Sequence, residues 1–216
     1  MSGSTENFLK AIYKITLEDK ECATNTRLSK RLNISNAAVT DMSKCLARKG
    51  LVRYIKYKGT ELTAEGRILA LKIIRKHRLW ELFLFRVLGY SWHEVHKDAE
   101  MLEHQTSEHL LDQLDKFLEQ PQYDPHGEPI PDKHGKLPES DGFVKLTGCI
   151  EGKNYEIVRI NPGTNDLNIF LKENGFHLGK NIFLKRIYED IFEIILDNTK
   201  LLIPQSIAGN LFVIPK

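Results

Sequence analysis

Around residue 120 the chain changes its hydrophobic rhythm, and that change constrains the fold more than any other feature. Up to Leu118, apolar residues recur three and four positions apart, the spacing of amphipathic helices. From Phe143 the apolar segments VKLTGCI, YEIVRIN, IFLKRIYE, FEIILDN and KLLIPQSIAGNLFVIP are short, β-branched and broken by Gly, Asn and Asp, as in strands joined by turns. Between them, residues 120–142 (QPQYDPHGEPIPDKHGKLPESDG) hold five prolines and three glycines and read as an irregular linker. Helices first and strands last predict an α+β chain of separate domains. Its 216 residues allow two or three modest cores.

Within the helical part, residues 4–18 place Phe8, Ile12 and Ile15 on one stripe, with Ser4 or Thr5 as cap and Glu6 in the first turn. Residues 24–49 give two short helices across Asn33-Ile34-Ser35. Ser35 caps the second, whose stripe is Ala38, Val39, Met42, Cys45 and Leu46, and Gly50 ends it. The segment from Leu51 to Tyr57, the turn Lys58-Gly59 and the segment from Thr60 to Thr63 then form a basic β-hairpin. Helix, helix, helix and basic hairpin make a winged helix-turn-helix. In such a module Asn36, Ala37, Ala38 and Asp41 would meet base edges and thymine methyls. Arg27, Ser35, Thr40, Lys44, Arg53, Lys56, Tyr57 and Lys58 would meet the phosphate backbone. Charge agrees: residues 1–60 hold 12 Lys and Arg against 5 Asp and Glu, whereas the remainder holds 19 against 24. A basic first third on a mildly acidic body suits a nucleic-acid module joined to something else.

The helical period continues from Ala64 to Gly89 with more apolar surface than one small core needs, which leaves a face for a second subunit. His77 and Glu81 stand one turn apart there, a spacing more common in surface contacts than in ligand pairs. The next helix, expected across residues 93–119, carries His96, Glu100, Glu103 and His104 at i, i+4, i+7 and i+8, on one face. Imidazoles and carboxylates converging there suit a divalent first-row metal, although a solvated amphipathic face gives the same pattern. Cys22, Cys45 and Cys149 form no CxxC pair and suit free thiols in a reducing cytosol. No apolar run reaches membrane-spanning length.

TENFLKAIY, LTAEGR, RKHRLWELFL, EVHKDAEMLEH and DPHGEPIP, in that order, resemble the diphtheria toxin repressor family of metal-dependent transcriptional regulators, in its long form. The resemblance implies a winged helix-turn-helix over 1–63, a helical dimerisation and metal-binding domain over 64–120, a linker over 121–141 and an SH3-like (FeoA-type) β-barrel over 142–216. It implies a cytoplasmic homodimer that binds a palindromic double-stranded operator once a divalent ion is bound, with no membrane partner. Carried over, the primary site is Asn7, Glu100, Glu103 and His104. The ancillary site is His77, Glu81 and His96, to which Asp124, His126 and Asp166 add groups.

Iron-type members carry sulfur ligands where this chain has Asn7 and Glu100, and manganese-type members carry carboxylates. A second acidic ligand of some manganese-type members falls here at Lys10. Oxygen donors with imidazole favour Mn²⁺, then Fe²⁺, with Zn²⁺ or Co²⁺ binding in vitro. Two other classes compete: a winged-helix regulator answering to a small organic ligand, and a metallohydrolase. HEVH at 93–96 lacks the HExxH spacing a hydrolase helix needs, and no nucleophile elbow or phosphate loop stands out, so no enzymatic role is expected.

Overall fold

A computed structural model describes residues 2–91, 94–138, 142–161 and 165–216. His93, the first residue of the His/Glu stretch, lies outside them. The chain divides into two compact units. One comprises Met1–Trp80, Lys97–Gln120 and Ile130–Leu137, the other Glu81–His96, Pro121–Pro129 and Pro138–Lys216.

The first unit opens with α1 (Gly3–Asp19), α2 (Asn25–Leu32) and α3 (Asn36–Arg48). Thr24 caps α2 by accepting the Arg27 N–H, and Ser35 caps α3 by accepting that of Ala38. Between them Asn33 takes the left-handed conformation that lets the chain turn tightly. The stripe of α1 (Phe8, Leu9, Ile12, Ile15) packs with Leu28, Val39, Leu46, Val52 and Leu71 into one core. The wing is β1 (Val52–Ile55) against β2 (Gly59–Leu62), shorter than the sequence suggests. Tyr57 belongs to the turn, with φ +67°. Gly59 is needed for space: a Cβ there would lie 2.4 Å from the Ala23 carbonyl oxygen, where Ala23 bridges to Thr60.

α4 (Ala64–Arg86) follows, then α5 (Val95–Glu103) and α6 (Glu108–Phe117). The continuous helix expected over residues 93–119 is therefore two. Ser107 starts the second by accepting the Leu110 N–H. Thr106 occupies the break: its hydroxyl accepts from Trp80 Nε1 at 2.6 Å and donates to the Leu102 carbonyl at 2.7 Å, while its carbonyl accepts from Lys76 Nζ.

The second unit is built on six antiparallel strands: β3 (Val144–Lys145), β4 (Lys153–Ile160), β5 (Asn181–Ile187), β6 (Ile191–Leu196), β7 (Thr199–Pro204) and β8 (Leu211–Pro215). Their order is β3-β8-β4-β5-β6-β7. VKLTGCI contributes only two strand residues before a 3-10 turn, and α7 (Asn165–Glu173) and α8 (Gln205–Ala208) fill the connections. Register shifts at Ile157/Arg159 and Leu184/Arg186 bend the long strands around a core of Leu146, Tyr155, Ile157, Ile182, Ile194 and Val213. Among the described residues no pairing joins β3 to β7, so the barrel lacks a hydrogen-bonded seam there.

Residues 120–138 are ordered turns. Asp124-Pro-His-Gly-Glu128 and Asp132-Lys-His-Gly-Lys136 repeat one design. In each, the Asp Oδ1 accepts the N–H groups two and four residues on, and the Gly has φ near +78°. Gly127 is also required sterically, because a Cβ would meet the Val158 carbonyl oxygen at 2.1 Å.

Candidate metal centre and nucleic-acid interface

The face expected on one helix is divided between two sites. Glu100 and Glu103 lie on α5, whereas His104 stands in the turn just after it. Glu103 is wholly buried. Its Oε2 lies 2.6 Å from His77 Nδ1, and its Oε1 accepts from Lys10 Nζ at 2.6 Å. The same ammonium donates to Glu100 Oε2 at 2.7 Å. His77, expected with the ancillary set, is thus in contact with Glu103 of the primary set.

α1 contributes from its first turns. Glu6 Oε2 lies 2.6 Å from His104 Nδ1. In the neutral ring that contact favours the tautomer with its proton on Nδ1, whose Nε2 carries a lone pair. His104 Nε2 is buried, 3.4 Å from Glu103 Oε1, without a hydrogen bond among the described residues. Gly3 packs against the ring, where a Cβ would approach to 3.3 Å. Asn7, between Glu6 and Lys10, has a buried Oδ1 that likewise accepts nothing among the described residues. Buried polar atoms ordinarily find partners. An orphaned imidazole nitrogen 3.4 Å from the buried Glu103 carboxylate, with an orphaned amide oxygen on the helix turn between Glu6 and Lys10, therefore fits a divalent cation that prefers N and O donors.

A second group lies within the other unit. Glu81 Oε1 is 3.2 Å from His96 Nδ1 and 3.8 Å from His126 Nε2. His126 is buried, and its carbonyl accepts the Ile160 N–H, which fixes the turn to β4. Asp124 is buried too, with Oδ1 engaged by the His126 and Glu128 N–H groups, so its clearest role is to shape that turn. Asp166 stands exposed in the first turn of α7, and its side chain makes no ion pair or hydrogen bond among the described residues.

On the nucleic-acid side, Asn36, Ala37, Ala38, Asp41 and Lys44 are exposed along α3, as are Arg53, Lys56, Tyr57 and Lys58 on the wing. Tyr57 is 92% exposed, with Lys56 Nζ 4.9 Å from its ring centre. Several expected phosphate contacts already have partners, Arg53 with Glu61 at 3.8 Å among them. Arg27 pairs with Glu18 and Asp19 at 3.0 and 2.9 Å, and Thr40 accepts from Asn25 and donates to the Asn36 carbonyl, bracing α2 on α3. Ser35 is occupied as the cap of α3.

Two contributors at the centre were not read as ligand-site partners from sequence. Glu6 reads there only as a favourable charge in a first helical turn, and Lys10 as a departure from the acidic residue some relatives carry. Both share a helix with Asn7, at offsets of one and three residues, and only that proximity signals them.

Sequence profiles described as "Iron dependent repressor, N-terminal DNA binding domain", "Iron dependent repressor, metal binding and dimerisation domain" and "FeoA domain" match residues 1–60, 63–132 and 144–215. The iron-dependent repressor IdeR of Mycobacterium leprae is 30% identical over 215 residues, covering 98% of this chain and 88% of that one. The chain belongs to the diphtheria toxin repressor family. The diphtheria toxin repressor of Corynebacterium glutamicum is 34% identical over 188 residues, spanning 83% of this chain and 82% of its own. A solved manganese-dependent transcriptional repressor in complex with manganese superposes with a TM-score of 0.89 at 29% identity, covering 98% of this chain and all of that one. Diphtheria toxin repressor family members are metal-dependent transcriptional repressors rather than enzymes, and their architecture is that of this chain: DNA-binding domain, helical dimerisation domain and SH3-like β domain.

Proposed function

We propose that this chain represses transcription as a homodimer on palindromic operator DNA when a divalent ion is bound, and that it controls metal-uptake genes in the cytoplasm. The supporting observation is that α1 of the DNA-binding unit brings Glu6 and Lys10, which flank Asn7, to the residues Glu100, Glu103 and His104 that follow α4. The domains are 1–63 for DNA, 64–120 for dimerisation and metal, 121–141 as linker and 142–216 as barrel. Asn7, Glu100, Glu103 and His104 hold the primary ion. Glu81, His96 and His126 hold an ancillary one, with His77, Asp124 and Asp166 as further contributors.

The bound ion supplies positive charge that ties α1 to α5. Glu103 orients His77, Glu6 orients His104, and α1 with its packed helices then has one position instead of several. Spacing two recognition helices by about one turn of DNA, roughly 34 Å, requires that restriction. In its absence the competent arrangement is a fraction of the population, and operator affinity falls by that fraction. The donor set favours Mn²⁺, then Fe²⁺, with Zn²⁺ or Co²⁺ binding in vitro. No described helix is long and apolar enough to cross a membrane.

Operator selection from random DNA, with and without each metal, tests the reading. A palindromic site enriched only with Mn²⁺ or Fe²⁺, and lost in Glu103→Ala or His104→Ala, is the expected result. Full-affinity, sequence-specific binding after chelation overturns it.

A further inference from the structure

His77, Glu100 and Glu103 place three metal-competent atoms within 4.8 Å of one another. A cation is already present: Lys10 Nζ, 2.7 Å from Glu100 Oε2 and 2.6 Å from Glu103 Oε1. Lysine ordinarily lays its stem along a surface and keeps its ammonium in water. Here the residue is only 7% exposed and Glu103 is fully buried, so the charges compensate one another out of solvent. Each carboxylate oxygen has two lone pairs, and one that accepts from Nζ keeps another for an ion.

We propose that Lys10 is a tethered cation filling the second position of this centre, so that the centre takes one divalent ion rather than two. This rests on the metal-centre reading above. The charges fit a single ion: Glu6, Glu100 and Glu103 carry three negative charges and Lys10 one positive, and one divalent ion balances the remainder. A second ion would leave two uncompensated positive charges in a buried place. The tether also holds α1 against α5 before any ion arrives. The metal-free protein is therefore partly arranged for operator binding, and metal adds the remainder.

The experiment uses the full-length dimer and Mn²⁺ alone. Electron paramagnetic resonance of the wild type, loaded to saturation, is expected to show isolated ions. Lys10→Glu replaces the ammonium with a ligand and is expected to take one more equivalent per chain and show an exchange-coupled pair. Lys10→Arg keeps the cation and is expected to match the wild type. Lys10→Met keeps the stem without the charge, and its metal-free melting temperature is expected to fall and to recover more on Mn²⁺ addition than that of the wild type. An exchange-coupled pair in the wild type overturns the proposal and leaves the metal centre standing. So does a Lys10→Glu protein that is folded by circular dichroism yet takes no additional ion. If Lys10→Glu does not fold, an unchanged metal-free melting temperature in Lys10→Met overturns it. A wild type that takes up no Mn²⁺ overturns the metal centre and this proposal together.

Discussion

A carboxylate that grips one nitrogen of an imidazole decides which nitrogen is left to bind. Glu6 does this for His104. Partners of this kind typically govern 10- to 100-fold in metal affinity. Glu6→Ala should weaken Mn²⁺ binding by about that factor while the melting temperature of the metal-free protein changes little, and calorimetric titration measures it. In the barrel, Lys185, Lys200 and Tyr188 converge on Glu193 and lower its pKa to about 2. Because the folded state binds that proton less readily than the unfolded state, Glu193 stabilises the barrel above pH 4.5, and the contribution is lost as pH falls to about 2. The stability difference between the wild type and Glu193→Gln should therefore shrink over that window, and urea unfolding at pH 7, 4.5 and 2 would show it. At this scale the sequence was legible wherever partners share a helix. Glu100 and Glu103 declare themselves by spacing. Lys10 and Glu6 do not, because their partners lie 90 or more residues away and only the fold joins them.

At the scale of elements, the glycine of LTAEGR shows why a helix-disfavouring residue sits in the first turn of α4. A Cβ on Gly66 would lie 1.9 Å from the Leu51 carbonyl oxygen. Alanine is the better helix former by about 1 kcal/mol, but the clash is with backbone that cannot swing aside. Gly66→Ala should destabilise the first unit by about 1–3 kcal/mol, as overpacking does, read as a lower melting temperature. Most elements were legible because their period, caps and turn residues are local: Ser35 announces α3, and Lys58-Gly59 announces the wing. The break between α5 and α6 was not, because Thr106 is held by Trp80, a contact across 26 residues. The linker misled for a different reason. Proline and glycine signal irregularity in general, whereas here Asp124 and Asp132 each organise five residues through their own carboxylate.

For the molecule as a whole, the excess of basic residues in the first 60 predicts operator binding that weakens steeply with salt, by about 0.9 logarithmic units per phosphate contact for each tenfold rise. Lys56→Ala and Lys58→Ala should each lower that slope by about one and weaken all sequences alike, whereas Asn36→Ala should alter which sequence is preferred. Fluorescence anisotropy over a salt series separates the two. α1 gives this behaviour a mechanical side. Its seventeen residues form a rod of about 25 Å, with no proline and no glycine after its first position. Its N-terminal half carries Glu6, Asn7 and Lys10. The other carries Glu18 and Asp19, which clasp Arg27 and Arg31 of α2. A strut without a joint cannot absorb a displacement along its length. Whatever seats the first turn of α1 is carried along one unbroken helix to its clasp on α2.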